Sequence, residues 1–244
     1  MASEVCQVCG GTGWRIIERD GISGAERCLC SQAERSRELQ SRAKIPPLYA
    51  NASLENFRLP RDNPSAELAL GQVLTTVRTY AREFPALDKP GLLLIGEPGT
   101  GKTHLAVAAL RILIGKGFEG IFSDYQNLLD RIRSGYDPNS GSSDKEAYRE
   151  ALDVEVLLLD DLGAHRVTDW VEDTVTSIIT HRCNHKKALI ATTNLVDVDA
   201  GSTVSQGRTT LGERVGMRAR SRLFEMCKVV RMTTVDDYRI KRVR

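Results

Sequence analysis

Short, continuous apolar runs alternate along most of the chain with longer stretches whose apolar residues have helical spacing. Continuous apolar runs are typical of strands buried on both faces, and the stretches between them predict crossover helices. The alternation therefore predicts an α/β fold with a parallel sheet covered by helices on both faces. The predicted strands are GLLLI (91–95), EGIFS (119–123), VEVLLLD (154–160), KALIATTN (187–194) and KVVRM (228–232).

The same pattern predicts the helices and one domain boundary. Pro46 and Pro47 separate a short N-terminal part from the alternating region. We therefore expect a small module over residues 1–45, which ends in a helical linker, and a larger domain over residues 46–244. The predicted helices cover residues 31–44, 65–84, 103–115, 124–136, 169–185 and 211–227, and the predicted loops cover residues 137–147 and 197–210.

The composition of the 244-residue chain, with 41% hydrophobic and 27% charged residues, is typical of a soluble globular protein. We expect a cytoplasmic protein without a membrane partner, because no apolar run reaches 18 residues and the N-terminus lacks a secretory signal. The net charge of +2 hides a basic C-terminal segment, residues 208–244, with eleven Lys/Arg and four Asp/Glu. This segment suits the phosphates of a nucleotide or a nucleic acid, although a solvated helix face has the same charge.

The stretch GEPGTGKT (96–103) lies between a predicted strand and a predicted helix and matches the pattern G-x-x-x-x-G-K-[ST]. Glycines let such a loop wrap closely around an anion and direct its backbone N–H groups at phosphates. Lys102 is expected to neutralise the β- and γ-phosphates of ATP, and Thr103 to offer its hydroxyl to Mg²⁺. The predicted nucleotide-binding residues are Gly96, Glu97, Pro98, Gly99, Thr100, Gly101, Lys102, Thr103 and His104.

Two further strands end in polar residues that suit the same site. Asp160 is expected to bind Mg²⁺ directly or through water, and Asp161 to orient or deprotonate the attacking water. Because the carboxyl ends of neighbouring parallel strands line one crevice, a polar residue at the end of the next strand is predicted to hold that water. Asn194 is the first candidate, and Thr192 and Thr193 are the alternatives.

Four cysteines within the first 30 residues form a C-x₂-C pair, an 18-residue spacer and a C-x-C pair. Clustered cysteines outside an oxidising compartment favour a metal, and four thiolates complete a tetrahedral Zn²⁺ site. The spacer has the turn signals of a hairpin, and a metal would stabilise a module too small for a core of its own. Unligated thiols and a redox pair are the alternatives. The predicted zinc ligands are Cys6, Cys9, Cys28 and Cys30, whereas Cys183 and Cys227 are predicted core residues.

The chain resembles the AAA+ ATPases of the DnaC/DnaI helicase-loader family through five segments in the same order: GEPGTGKTHLA, LLLDDLG, IATTNL, GERV…SRLFEMC and DDYR. The resemblance runs from about Pro47 to Arg244, and the cysteine-rich front resembles the N-terminal zinc modules of DnaI-like loaders. It implies a RecA-like AAA+ core with strand order 5-1-4-3-2, preceded by a small zinc-ribbon-like module. It also implies ATP-dependent loading of a DnaB-type hexameric replicative helicase onto single-stranded DNA, with the zinc module engaging the helicase.

The resemblance also implies roles for individual residues. Arg222 would be the arginine finger that reaches the γ-phosphate of a neighbouring subunit, which implies self-association. Arg214, Arg218 and Arg222 recur every four residues and are predicted to share one helix face, so Arg218 is an alternative finger. The remaining matches are Lys102 and Thr103 (Walker A), Asp160 and Asp161 (Walker B), Asn194 (sensor 1) and Arg239 (sensor 2).

Two departures from the family pattern affect the expected mechanism. Walker B ends in Asp-Asp where many AAA+ proteins have Asp-Glu, which predicts slow hydrolysis that suits a switch. About 50 residues follow Asn194, so the lid is expected to be reduced and Arg239 to act from a short C-terminal element.

The resemblance also implies that the predicted helix over residues 124–136 occupies the place where the loaders contact single-stranded DNA. Tyr125, Arg131, Arg133 and Tyr136 offer stacking and phosphate contacts, and we expect DNA to stimulate hydrolysis. An ordinary amphipathic helix is the alternative interpretation. For the whole chain, the alternatives are an IstB-like ATPase helper of transposition, a small-molecule P-loop kinase and a zinc-ribbon adaptor that barely hydrolyses ATP.

Overall fold

The computed structural model describes residues 5–19, 21–134, 144–197, 209–232 and 238. The N-terminal part is an antiparallel hairpin followed by a helix, as the sequence predicted. The hairpin consists of β1 (Trp14–Arg19) and β2 (Ile22–Arg27), and the helix is α1 (Leu29–Arg42).

The larger part contains a five-stranded sheet in which all neighbouring strands are parallel. Its strands are β3 (Gly91–Ile95), β4 (Gly120–Asp124), β5 (Val156–Asp160), β6 (Ala188–Thr193) and β7 (Cys227–Arg231). Their spatial order is β4-β5-β6-β3-β7, which is 5-1-4-3-2 when β3 is counted as the first strand. The parallel sheet and its predicted strand order are both confirmed.

Helices cover both faces of this sheet. They are α2 (Pro64–Glu83), α3 (Lys102–Gly115), α4 (Tyr125–Ser134), α5 (Asp144–Asp153), α6 (Asp169–Asn184), α7 (Leu211–Val215) and α8 (Met217–Met226). The buried residues form one cluster with α2 and α3 and a second cluster with α4 to α8. Because side chains alternate along a strand, Leu92 and Leu94 of β3 join the first cluster, and Leu93 and Ile95 join the second.

Local capping explains where several of these helices begin. The side chains of Asn63, Thr168 and Thr210 each accept a hydrogen bond from a backbone N–H in the first turn of α2, α6 and α7, respectively. At α7, Glu213 also accepts from the backbone of Thr210 and completes a capping box. These residue types therefore fix the helix starts before tertiary packing contributes.

A fully buried arginine joins three elements on the α5 side of the sheet. Arg182 of α6 donates to the carbonyl oxygens of Ala151 (2.8 Å) and Leu152 (3.5 Å) at the end of α5. It also donates to the carbonyls of Glu155 (3.2 Å) and Ala188 (2.5 Å), beside the starts of β5 and β6. The guanidinium therefore donates to carbonyl groups at the end of the helix and beside the starts of the strands.

Two predicted elements differ from the structure. The predicted loop over residues 137–147 is wrong in its last part, because α5 begins at Asp144, and residues 135–143 lie outside the described part of the chain. Burial of Ala147 and Ala151 against the second cluster stabilises α5, and this packing has no local sequence signal.

The predicted single helix over residues 211–227 is also wrong, because the chain breaks at Gly216. Gly216 has φ 84°, and a Cβ there would lie 2.5 Å from a carboxylate oxygen of Glu172. The break separates Arg214 on α7 from Arg218 and Arg222 on α8, so the three arginines do not share one helix face. Within the described residues, no helix is long and apolar enough to cross a lipid bilayer.

Candidate nucleotide-binding site

The glycine-rich stretch forms a preorganised loop between β3 and α3. The Gly96 N–H donates to the Thr193 carbonyl (3.2 Å), which attaches the start of the loop to β6. Gly101, at φ 89°, caps α3 in the left-handed region that glycine tolerates best. The Thr100 hydroxyl (2.9 Å) and the buried Lys102 ammonium (2.8 Å) both donate to the Glu97 carbonyl across the loop. The first N–H groups of α3 and the Lys102 ammonium thus lie together, an arrangement that suits an anion.

The carboxylate of Asp160 lies next to this loop, at the end of β5. The Thr103 hydroxyl donates to its two oxygens at 3.0 and 3.2 Å, and the Thr192 hydroxyl donates to Oδ1 at 2.6 Å. Burial raises the pKa of Asp160 above its usual value, and the nearby charges of Asp161 and Asp124 raise it further. Hydrogen bonds from the two hydroxyls oppose this shift.

This oxygen-rich environment fits Mg²⁺. Asp124 ends β4 and is the register partner of Asp160, so three acidic residues lie at one edge of the sheet. The described residues place no cationic side chain in hydrogen-bond contact with Asp160. A hydroxyl and a carboxylate are ligands that Mg²⁺ accepts, and a divalent cation would relieve the repulsion that raises the pKa of Asp160. Asp124 was not predicted, although its place at a strand end was the available signal.

Asp161 and Asn194 are in direct contact. The Asn194 side-chain amide donates to Oδ1 of Asp161 (3.1 Å), and the Asp161 backbone N–H donates to the Thr192 hydroxyl (3.0 Å). Asp161 has φ 54°, so the backbone leaves the strand conformation at the residue that follows Asp160. Thr193 instead donates to the Leu162 carbonyl (2.8 Å), away from both carboxylates. The structure thus separates the three polar candidates at the end of β6.

His104 lies on the other side of the loop and contacts the segment that follows α1. Its Nε2 is 2.9 Å from the Ser53 carbonyl oxygen, so Nε2 carries the proton and donates it. The Phe57 ring lies beside His104, with the ring centroids 5.7 Å apart. The Phe57 Cε2 lies 2.6 Å from the position that a Cβ on Gly101 would occupy. His104, which the sequence predicted to bind nucleotide, is thus directed at the segment that follows α1. Neither its contact with Ser53 nor its contact with Phe57 had a signal in the sequence.

The comparison with protein families matches nearly the whole chain. A family model described as IstB-like ATP binding protein covers residues 31–244. The chain belongs to the IstB-like ATP-binding proteins. Among curated relatives, the Escherichia coli K12 protein named replicative helicase loader DnaC is 26% identical over 213 residues, which are 86% of this chain and 81% of that protein. The uncharacterized protein YdaV of the same strain is 27% identical over 206 residues, which are 83% and 75% of the two chains.

Solved structures similar to this IstB-like protein confirm the AAA+ fold. A crystal structure of the DnaC helicase loader is 31% identical, covers 77% of this chain and 100% of its own, and has a TM-score of 0.64. The structure of DnaI is 20% identical, covers 82% and 99%, and has a TM-score of 0.60, a likeness that concerns the fold alone. The predicted resemblance to the DnaC/DnaI group is thereby confirmed.

Arg218 and Arg222 of α8 in this IstB-like protein line an open cleft of about 730 Å³ between α6 and α8. Arg222 forms an ion pair with Glu225 (2.6 Å), and this pair raises the pKa of the guanidinium. Arg218 is exposed and has no hydrogen bond or ion pair with any residue that the structure describes. Arg214 instead donates to the carbonyl of His165 (3.3 Å) beneath the loop after β5. Besides the two arginines, the cleft is lined by Asp173, Thr176, Ser177, Thr180 and Ser221.

One predicted DNA contact on α4 is wrong. Tyr125 is 1% exposed and belongs to the second core cluster, because its position on the inner face of α4 directs the ring into the sheet. Arg133 lies over the ring of Trp170 at 4.6 Å, and Arg131 approaches Glu150 at 3.8 Å, both on the outer surface. Tyr136 lies outside the described residues.

The predicted sensor 2 residue, Arg239, also lies outside the described residues. Its neighbour Tyr238 is described, and the Tyr238 backbone N–H donates to the Gly99 carbonyl of the phosphate loop (3.4 Å). Tyr238 thus lies beside the phosphate loop.

The four N-terminal cysteines form a compact cluster. Their sulfur atoms all lie within 4.8 Å of one another, with Cys6 and Cys28 3.8 Å apart and Cys9 and Cys30 3.3 Å apart. Tetrahedral Zn²⁺ with bonds of about 2.3 Å separates its sulfurs by about 3.8 Å, so the cluster fits this ion. Backbone N–H groups of Cys9 and Val8 lower the pKa of Cys6, which favours the thiolate that binds metal. The unclustered Cys227 is buried in the core, as predicted.

Proposed function

We propose that this chain is an ATP-binding and ATP-hydrolysing switch that loads a DnaB-type replicative helicase onto single-stranded DNA. The contact between Thr103 and Asp160 carries the proposal, because it joins the phosphate loop to a buried carboxylate where Mg²⁺ bridges a nucleotide in related ATPases. Similarity over 86% of the chain to a protein named replicative helicase loader DnaC supports the biological role.

The proposed reaction assigns a separate task to each part of the site. Lys102 neutralises the β- and γ-phosphates, while Thr103 and Asp160 would hold Mg²⁺, which would supply further charge neutralisation. Asp161 accepts a proton from the attacking water or orients it, and Asn194 fixes the Asp161 carboxylate through the 3.1 Å hydrogen bond. Aspartate has a shorter side chain than glutamate at this position, so we expect slow hydrolysis.

The arginines of α8 are proposed to act on the nucleotide of a neighbouring subunit. Arg222 matches the arginine finger of the related loaders, and its position beside an open cleft leaves room for a second chain. A cation aimed at the γ-phosphate stabilises the charge that spreads over the phosphoryl group during transfer. In the single chain Arg222 is paired with Glu225, whereas Arg218 is unpaired among the described residues, so both remain candidates. Arg239 is proposed to contact the nucleotide of its own subunit.

The cysteine cluster is proposed to hold Zn²⁺ and to organise a surface that binds the helicase. Cys6, Cys9, Cys28 and Cys30 supply four sulfur ligands, and the hairpin of β1 and β2 spans the two pairs. Trp14 and Ile16 lie on one face of this hairpin and are 51% and 83% exposed. Large exposed apolar side chains on a small module are typical of a protein-binding surface.

Single-stranded DNA is proposed to contact the outer surface of α4 and to stimulate hydrolysis. Arg131 and Arg133 are exposed there, and the ring of Trp170 beside Arg133 adds an aromatic surface. Aromatic rings and arginines together bind single strands without strong sequence preference.

A helper role in DNA transposition is the alternative function. The observation that favours it is the family model itself, which is described as IstB-like and covers residues 31–244. A pull-down with the purified chain decides between the two roles. Retention of a DnaB-type helicase in the presence of ATP supports the loader, and retention of a transposase instead would contradict it.

An ATPase titration tests the switch independently of the partner. We expect slow hydrolysis that requires Mg²⁺, disappears in Lys102→Ala and rises when single-stranded DNA is added. A flat response to DNA would contradict the proposed coupling, and full activity of Lys102→Ala would contradict the assigned site.

A further inference from the structure

The linker is the segment that follows α1, residues 43–57. Its N-terminal end is fixed to the ATPase core. Ala43 is fully buried, and its carbonyl accepts a hydrogen bond from the backbone N–H of Phe122 in the edge strand β4 (2.7 Å). Lys44 forms an ion pair with Glu150 of α5. The linker is therefore attached to the sheet at the point where it leaves the N-terminal module.

The C-terminal end of the linker is fixed to α3. The carbonyls of Ala52 and Ser53 accept hydrogen bonds from Arg111 (2.8 Å) and from His104 (2.9 Å). Asn56 closes this turn, because its side chain accepts from the Ser53 N–H (2.9 Å). Two side chains of one rigid helix thus hold two consecutive carbonyls of the linker.

The last linker residue contacts the phosphate loop itself. The Phe57 ring packs on Gly101 so closely that a Cβ there would lie 2.6 Å from it. Gly101 directly precedes Lys102 and Thr103, and His104 directly follows them. One four-residue stretch therefore carries the proposed phosphate and Mg²⁺ ligands and also the groups that hold the linker.

We propose that His104 and Phe57 are positioning residues that couple occupancy of the nucleotide site to the linker, and through it to the N-terminal module. The inference rests on the proposed ATP switch and adds the route by which the switch acts on the module. Bound nucleotide holds Gly101 to Thr103 against the phosphates, and this restrains the Phe57 ring and the carbonyl held by His104. By reciprocity, loss of the linker contacts weakens nucleotide binding.

Hydrogen exchange on the full-length chain tests the coupling. We expect a non-hydrolysable ATP analogue with Mg²⁺ to slow exchange of the backbone N–H groups of residues 43–57 in the natural protein. In Phe57→Ala this slowing disappears, and the affinity for the analogue falls by about fivefold or more. Phe57→Leu keeps an apolar group against Gly101 and retains most of both effects.

A second pair of variants keeps the test independent of the fold of Phe57→Ala. His104→Ala removes the donor to the Ser53 carbonyl and uncouples the linker, whereas His104→Gln keeps a side-chain N–H and retains coupling. Slowing equal to that of the natural protein in folded Phe57→Ala and His104→Ala would overturn the inference. If the natural protein binds the analogue without slowed linker exchange, only the inference fails; if it binds no nucleotide at all, the proposed function fails with it.

Discussion

Replacing Thr192 with valine removes one buried hydroxyl that contacts both acidic residues of the nucleotide site. This hydroxyl donates to Asp160 (2.6 Å) and accepts from the Asp161 N–H (3.0 Å). A hydrogen bond to a charged group contributes about 1.5–3 kcal/mol to stability, and a buried N–H that loses its acceptor costs about 1–3 kcal/mol. Because Asp161 is half-buried and water can replace part of the loss, we expect Thr192→Val to lower the free energy of unfolding by about 2–4 kcal/mol.

Thr193→Val is a matched control on the same strand. The Thr193 hydroxyl is equally buried, but it donates to the Leu162 carbonyl (2.8 Å), accepts from the Leu195 N–H (3.2 Å) and contacts neither carboxylate. Loss of these two hydrogen bonds between neutral groups lowers the free energy of unfolding by about 1–3 kcal/mol. Urea denaturation measures both losses, and for a chain of this size each kcal/mol corresponds to about 2–4 °C in Tm.

The two variants should also differ in their dependence on pH. Burial raises the pKa of Asp160, and the Thr192 hydroxyl partly offsets this, so Thr192→Val raises the pKa further. Protons compete with Mg²⁺ for this carboxylate, so the acid limb of Mg²⁺-dependent ATP hydrolysis should move to higher pH in Thr192→Val and stay in place in Thr193→Val.

The stability of the metal-free protein should respond to the same shift. The folded protein binds a proton at Asp160 where the unfolded chain is ionised, so its stability rises as pH falls through the raised pKa. Equal stability losses and coincident acid limbs in Thr192→Val and Thr193→Val would refute this account of the site.

Three further substitutions test other parts of the structure. Cys28→Ser should lower the zinc content from about one ion per chain, measured by atomic absorption, whereas Cys183→Ser should leave it unchanged. Asp160→Asn removes a buried charge, so it should raise the Tm of the metal-free protein at neutral pH. The same change should abolish Mg²⁺-dependent ATP hydrolysis. A lower Tm would contradict the free-energy cost assigned to burial of the Asp160 charge. Arg182→Met leaves several carbonyl groups without the hydrogen-bond donor that this side chain supplies and should lower the free energy of unfolding in urea by about 3–5 kcal/mol. The control Arg149→Met, at an exposed position, should change it little.

The sequence by itself determined the features that depend on neighbouring residues. The five strands of the sheet were predictable because short apolar runs flanked by helical spacing permit few other structures. The phosphate loop was predictable because its glycines, Lys102 and Thr103 are contiguous and lie between a strand and a helix. The cysteine spacing likewise predicted a cluster, since a hairpin brings the two pairs together.

Tertiary structure alone decided the contacts between residues distant in the chain. The sequence left Thr192 and Thr193 as equal alternatives to Asn194. Only the pairing of β5 with β6 brought Thr192 to Asp160. Tyr125 was equally able to face solvent or core until the sheet occupied one side of α4. The contact of Phe57 with Gly101 joins residues 44 positions apart and follows from no local pattern. Spacing therefore supplies the reactive groups, and packing selects which of them meet, because burial and contact depend on the whole fold.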